Sequence, residues 1–146
     1  GISRGRQIAA AFALGAQGVW TGTIWLGTRE SELTPMEKEV LFKAKSEDAV
    51  QRKWMTGKTV RMIRSKASEA WEQPGAPRHL KPPLQNILYL GARIRIEKAH
   101  RDDLCSFPAG QVVGNMKEET SVRQVMQDLM QEYIDTAERI SPLINL

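Results

Sequence analysis

Residues 1–23 constrain the fold of this 146-residue chain more than any other stretch. The run 4–14 is rich in helix-forming residues, and Ser3 precedes it where an N-cap is expected. Gly15 follows at the position of a left-handed C-cap. The short apolar segment 18–21 is predicted to be a buried strand. The order turn, helix, strand, turn is typical of one unit of an α/β fold.

Glycine turns lie at both ends of this unit, at residues 1–3 and 21–23. If the strands are parallel, both turns fall at the carboxyl ends of neighbouring strands, where α/β folds bind ligands. Backbone N–H groups that no side chain hinders, at Gly1 and Gly22, can bind an anion such as a phosphate. Tight reversal of the chain is the alternative explanation, and the pattern alone favours it.

The stretch resembles the phosphate-binding segment of the nitronate monooxygenase (2-nitropropane dioxygenase) family, which are FMN-dependent TIM-barrel flavoproteins. Two departures from the family pattern are Arg4, where Asp is usual, and Trp20, where many members have Gln. FMN-dependent NAD(P)H reductases of quinones or enoyl thioesters share the segment and remain the alternative. The matching residues are Gly1-Ile2, Gly5-Arg6, Ala9 to Leu14, Gly15-Ala16, Gly18-Val19-Trp20 and Gly22-Thr23.

The resemblance implies which residues bind the cofactor. It places the FMN phosphate on backbone N–H groups and on the Thr23 hydroxyl, and it gives Arg4 either a place beside the phosphate or one in solvent. It assigns no catalytic residue to this chain, because the family's catalytic histidine comes from an earlier strand. The implied FMN-binding residues are Gly1, Trp20, Thr21, Gly22 and Thr23.

Length limits the architecture, since a whole TIM barrel needs at least about 200 residues. The resemblance therefore implies an α/β fragment, the C-terminal part of a (β/α)8 barrel together with a smaller, mostly helical domain. Residues 1–30 are expected to supply barrel helix seven and strand eight, and residues 31–118 the smaller domain. Residues 119–146 are expected to form a terminal helix that returns to the barrel.

Local patterns predict the elements of the middle region. A capping box at Thr34-Pro35-Met36-Glu37 starts a helix that is expected to end near Ser46. Two short strands are predicted at 48–54 and 58–63, and a short helix capped by Ser65 follows. After the proline-rich loop 73–83 comes a helix to about His100, with one apolar face formed by Leu84, Ile87, Leu88 and Gly91.

The last helix has the most regular apolar spacing in the chain, from Val122 to Ile140. Thr120 or Ser121 is predicted to cap it, and Pro142 to end it. The resemblance implies that its apolar stripe packs on the barrel. It also suggests that the loop containing Gln111 folds toward the barrel mouth.

Charge and composition bound the partners. The net charge is +4, and the run 52–66 carries six basic residues and no acid. It is predicted to be a solvated face or one that faces an anionic cofactor or partner, with no nucleic-acid motif beside it. No membrane helix or secretory signal is expected. The single cysteine, Cys105, excludes an internal disulfide, and cytoplasmic residence is predicted.

The sequence does not predict a metal site, because His79 and His100 lack ligand spacing. The resemblance implies a parent enzyme that oxidises a small alkyl nitronate with O2, while this part supplies the FMN phosphate site and is inactive alone. Its partners would be the substrate, O2 and the remainder of the barrel, and a homo-oligomer is left open. A non-catalytic helical interaction module is the alternative from another class.

Overall fold

The computed structural model describes residues 1–144, which form two compact units. The first consists of residues 1–32 together with the chain from residue 118 onward, and the second of residues 33–117. The first unit is therefore made of two distant stretches of sequence, whereas the second is continuous.

The first unit is built on α1 (Gly5–Ala13) and α5 (Val122–Ile144). Gly15, with φ of 97°, ends α1 as predicted. Its N–H donates to Phe12 O (2.9 Å), and the Ala16 N–H donates to Ala11 O (3.0 Å). These two bonds form a Schellman motif, which satisfies the last carbonyls of the helix.

Close backbone contact joins α1 to α5. A Cβ at Gly5 would overlap the Leu129 carbonyl oxygen and the Tyr133 nitrogen, so only glycine fits this crossing. Further along, the rings of Phe12 and Tyr133 meet edge to face, with centroids 5.6 Å apart. On α5, Val125 and Leu129 are buried. The helix pair thus forms the core of this unit.

Three sequence predictions for this unit are wrong. Residues 18–21 form no strand, because a strand needs a pairing partner and the only two strands of the described chain pair with each other. Arg4, not Ser3, is the N-cap of α1. Pro142 does not end α5, which continues to Ile144. Ser121 does cap α5, since its Oγ accepts from Gln124 N (3.1 Å).

The second unit begins with α2 (Pro35–Lys43), which starts as predicted and ends three residues before Ser46. Thr34 Oγ1 accepts from Glu37 N (3.2 Å), and Thr34 N donates to Glu37 Oε2 (2.9 Å), so the capping box is complete. The elements that follow are β1 (Ala49–Arg52), β2 (Val60–Ile63), α3 (Lys66–Ala70) and α4 (Leu84–Lys98).

The strands β1 and β2 pair antiparallel, with Ala49 opposite Ile63 and Arg52 opposite Val60. Two strands and a short helix capped by Ser65 are confirmed, although each is shorter than predicted. Short 3₁₀ turns at Asp102–Leu104 and Gln111–Asn115 follow α4, and the second contains Gln111, which was predicted to lie in a loop.

Trp54, Met55, Met62 and Tyr89 form the core of the second unit. The Trp54 indole N–H donates to Met62 Sδ (3.0 Å) and its ring meets that of Tyr89 edge to face, 4.9 Å between centroids. The Tyr89 hydroxyl donates to Ser106 O (2.9 Å). Burial raises the pKa of Tyr89 to about 12, so this donor keeps its proton at physiological pH.

An apolar helix face is expected to pack against the core, but in α4 the apolar face points away from it. The buried side chains on α4 are Gln85 and Tyr89, whereas Leu84, Ile87 and Leu88 are exposed. Gln85 is held inside because its amide accepts from Leu80 N (2.9 Å) and donates to a Trp54 carbonyl. The apolar face of α4 therefore remains on the surface of this unit.

Candidate phosphate-binding site

Trp20 and Gly22 are exposed, whereas Thr21 and Thr23 beside them are half-buried. The Trp20 side chain is 97% exposed, and a Cβ placed on Gly22 would meet no described atom within 4 Å. The segment is anchored from behind, because Trp25 Nε1 donates to Thr21 O (3.2 Å) and Trp25 N donates to Gly22 O (3.1 Å). Thr23 begins the 3₁₀ helix Thr23–Gly27. Open backbone beside a glycine is what an anion-binding turn requires.

Gly1 lies in the exposed turn that leads into α1. The side chain of Gln7 folds back on this turn, and its Oε1 accepts from Ser3 N (2.8 Å) and Arg4 N (3.1 Å). Two N–H groups of the turn are thus already bonded within the chain. Trp20, Thr21, Gly22 and Thr23 are brought together as one segment, while the convergence of Gly1 with them on one phosphate stays a prediction.

A carboxylate from α5 occupies the N-terminus of α1. Glu132 Oε2 accepts from Gly5 N (2.7 Å), and both Glu132 oxygens accept from the Arg4 guanidinium at 2.9–3.1 Å. The Arg4 hydrogen bonds, with the backbone N–H and the nearby charges, hold the pKa of Glu132 below its ordinary value. Arg4 is therefore held in an ion pair with Glu132 while its side chain stays about half exposed. The resemblance had given Arg4 a place either beside the phosphate or in solvent, and it did not predict this ion pair.

Sequence reasoning missed Glu132, because 128 residues separate it from Arg4. Arg6 also lies within 3.5 Å of the Glu132 carboxylate, and Asp128 acts on Arg4 as a second acid. The two guanidinium groups therefore face two carboxylates, and the positive end of the helix is the feature of this end of α1 that favours an anion.

Gln111, Cys105 and His79 were also noted in the sequence. Gln111 is exposed at the start of a 3₁₀ turn, and its place at the barrel mouth stays a prediction. The Cys105 side chain is buried, and burial raises the pKa of its thiol to about 12, so the reactive thiolate is not formed near neutral pH. His79 stacks against Trp71, with ring centroids 5.3 Å apart. Within residues 1–144, no three side chains of His, Cys, Asp or Glu are grouped to hold a metal ion.

The basic run 52–66 is largely partnered inside the second unit. Arg52 pairs with Glu69 (2.8 Å), and Lys66 pairs with Asp103 (3.1 Å). Arg61 and Arg64 donate to backbone carbonyls of Ala49 and Glu47. These contacts support a structural role for the run.

A membrane-crossing helix is not found in the described part of the chain, since none of its helices combines the necessary length with sufficient apolar character.

Comparison with known proteins identifies the family. The family model named nitronate monooxygenase matches residues 1–132. A putative monooxygenase of Mycobacterium tuberculosis is 41% identical over 150 residues, covering 99% of this chain and 40% of that protein. A probable nitronate monooxygenase of Bacillus subtilis is 35% identical over 129 residues, covering 88% and 37%. The chain thus spans about two fifths of the length of these relatives.

Solved structures agree with this assignment. A nitroalkane oxidase from Streptomyces ansochromogenes matches with a TM-score of 0.79 at 27% identity, over 95% of this chain and 39% of that one. FabK from Thermotoga maritima matches with a TM-score of 0.75 at 30% identity, over 98% and 45%. Because the family model covers nearly the whole sequence, the chain belongs to the nitronate monooxygenase family.

Proposed function

We propose that this chain is the part of an FMN-dependent nitronate monooxygenase that supplies the FMN phosphate site. The whole enzyme would oxidise an alkyl nitronate with O2, and FMN would supply the redox chemistry when bound. The supporting observation is that the family match at residues 1–132 includes the segment 20–23, whose backbone is open beside Gly22.

The proposed site works mainly through the main chain. The N–H groups of Trp20, Thr21 and Gly22 bind phosphate oxygens, the Thr23 hydroxyl donates a further hydrogen bond, and Gly1 approaches from the turn before α1. The absence of a side chain at Gly22 lets phosphate oxygens come close to the backbone. This design holds the anion in a fixed position and leaves the catalytic base to the remainder of the enzyme.

The remainder of the barrel would cover part of the first unit. The α5 side chains Val122, Met126, Met130 and Ile134 are spaced four residues apart and are exposed. Large apolar patches of this kind mark surfaces that are covered in the complete assembly. We infer that this stripe packs against the barrel strands and helices that the longer relatives contain.

The first test is a flavin-fluorescence titration of the 146-residue chain. We expect no submicromolar FMN binding, because the groups that hold the ring would come from the rest of the enzyme. Submicromolar FMN binding by the chain alone would contradict the proposal that the rest of the enzyme holds the flavin ring.

The parent enzyme provides the sharper test. Gly22→Val in the parent should weaken FMN binding at least tenfold, because a branched side chain blocks the backbone N–H groups. Gly18→Val is the matched control, since a Cβ there also meets no described atom within 4 Å, yet Gly18 lies outside the proposed site. Equal FMN affinity in the two variants would remove Gly22 from the site.

A second candidate is an FMN- and NAD(P)H-dependent reductase of quinones or enoyl thioesters. The structural match to FabK is as extensive as the match to nitroalkane oxidase, so likeness of fold does not separate the two candidates. Oxygen consumption by the parent with an alkyl nitronate and no NADH would support the monooxygenase. Turnover that requires NADH would support the reductase.

A further inference from the structure

One face of α4 in the second unit is apolar, exposed and unpartnered in the described chain. Leu84, Ile87, Leu88 and Ile94 expose between 50% and 63% of their surface. Their positions follow the spacing i, i+3, i+4, i+10, so with Gly91 they lie along one side of a helix about 22 Å long. We call these five residues the α4 face.

A groove lies beside this face. It has a volume of about 350 Å³, and its walls include Trp71, Ile87, Leu88 and Ala92. Gly91 lies in its lining, and a Cβ added there would meet no described atom within 4 Å. The glycine therefore makes a depression into which a protruding side chain can fit, as in knobs-into-holes packing between helices.

Cations border the α4 face at both ends. Arg95 and Lys98 lie on the same side of the helix as Gly91, and Arg78 and Lys81 lie in the loop before α4. All four side chains are exposed, and the described chain offers none of them an ion-pair partner. The neighbouring Arg93, by contrast, pairs with Glu37 (3.1 Å) and Glu97 (2.7 Å).

We propose that the α4 face binds an amphipathic helix of a partner protein, with apolar residues along its centre and acidic residues at its edges. The depression at Gly91 receives one apolar side chain of that helix, and the four exposed cations pair with its carboxylates. A second copy of α4 fits poorly, because cations at both ends would face cations in either orientation. A lipid surface fits poorly as well, because Trp54 and Trp71 line the groove instead of projecting outward.

The test is a titration of the 146-residue chain with two synthetic peptides of about 18 residues, long enough to populate a helix. Both carry the same leucine stripe, and one has glutamates at its edges whereas the other has lysines. We expect the acidic peptide to bind with one-to-one stoichiometry and micromolar affinity. The fluorescence anisotropy of the labelled peptide measures this binding. The lysine peptide should bind at least tenfold more weakly.

Two variants locate the binding site. Gly91→Leu should abolish binding of the acidic peptide by filling the depression, although it replaces a poor helix former with a good one and so leaves α4 folded. The double variant Arg95→Glu with Lys98→Glu should weaken binding about tenfold. Met130→Lys on α5 is the control, because it removes exposed apolar surface elsewhere and should leave binding unchanged.

Several results would overturn the proposal. Equal binding of the two peptides would show that the cations do not contribute to binding. Undiminished binding by Gly91→Leu would show that the depression at Gly91 is not the binding site. Self-association lost in Gly91→Leu would assign the face to a second copy, and cosedimentation with phosphatidylserine vesicles would assign it to a membrane. Failure of the parent enzyme to bind the acidic peptide would show that its own remaining chain covers α4.

Discussion

At the scale of single residues, Glu132 and Gly5 fix the start of α1. Glu132 accepts hydrogen bonds from the Gly5 N–H and from the Arg4 guanidinium. Gly5 permits the backbone contact with Leu129 that brings Glu132 within reach. The turn at Gly1 that is proposed to bind phosphate is thereby attached to α5. Two predictions follow from these contacts.

Gly5→Ala should destabilise the first unit by about 3 kcal/mol, because the new methyl group must displace the α5 backbone. Urea unfolding followed by circular dichroism measures the change. Gly18→Ala is the control, since a Cβ there meets no described atom within 4 Å, and it should change stability by less than about 0.5 kcal/mol. Similar stability of the two variants would contradict the close crossing.

Glu132→Gln should cost about 1 kcal/mol at neutral pH, a value reduced for solvent because the Arg4 side chain is about half exposed. Since the pKa of Glu132 is lowered in the folded state, the unfolded state binds its proton more readily. The stabilisation is thus complete above the unfolded pKa and is lost as the pH falls through the folded one.

Unfolding free energies measured from pH 7 down to acid should show this difference. The gap between wild type and Glu132→Gln should narrow once the pH drops below about 4.5, the ordinary pKa of the group. A gap that stays constant across this range would mean that the ion pair does not stabilise the fold.

At the scale of elements, the sequence predicted the helix caps that depend on interactions between neighbouring residues. The capping boxes at Thr34 and Ser65 and the C-cap at Gly15 involve residues no more than five positions apart, so the sequence contains their partners. The prediction of a strand at 18–21 was wrong, because strand pairing depends on residues that are distant in the sequence. The exposed side of α4 could not be read from its pattern, since loop partners hold Gln85 and Tyr89 inside.

In the candidate site, too, the sequence predicted the local features and missed the contact between distant residues. The glycine turn at Gly22 and the resemblance of residues 1–23 could be seen in the sequence. The anchoring of Arg4 by Glu132 could not, because no local pattern connects residues on two helices at opposite ends of the chain.

The end of α4 offers a prediction at this scale. His100 takes the left-handed conformation, φ 48°, that glycine usually provides after a helix. Its N–H donates to Glu97 O (3.1 Å) and Arg101 N donates to Ile96 O (3.1 Å). His100→Gly should therefore raise stability by about 0.5–1 kcal/mol in thermal unfolding. His100→Ala keeps the strain and should give no gain.

At the scale of the whole molecule, the chain contains two separate cores. Val125 and Leu129 are buried in the first unit, and Trp54, Met62 and Tyr89 in the second. Each core has its own polar contacts, so we expect each unit to unfold with its own free energy.

Gly57→Ala tests this division. Gly57 has φ of 77°, and a Cβ there would overlap the Leu80 carbonyl oxygen, so the variant should destabilise the second unit. In a background with Trp20→Phe and Trp25→Phe, the remaining tryptophans, Trp54 and Trp71, both lie in the second unit. There we expect the fluorescence transition to move to lower urea concentration. In Gly5→Ala the same fluorescence transition should stay in place while the circular dichroism changes. Coincident shifts of both signals in both variants would indicate a single cooperative molecule.

The discontinuous first unit has a consequence for folding during translation. A ribosome that has released residue 117 has already produced all of the second unit, whereas α1 must wait for α5, which supplies Glu132 some 128 positions later. The nascent chain therefore carries α1 without its helical partner while residues 33–117 are being synthesised. Slow elongation or premature termination before α5 would expose α1 to aggregation and leave the glycine turn without its anchor.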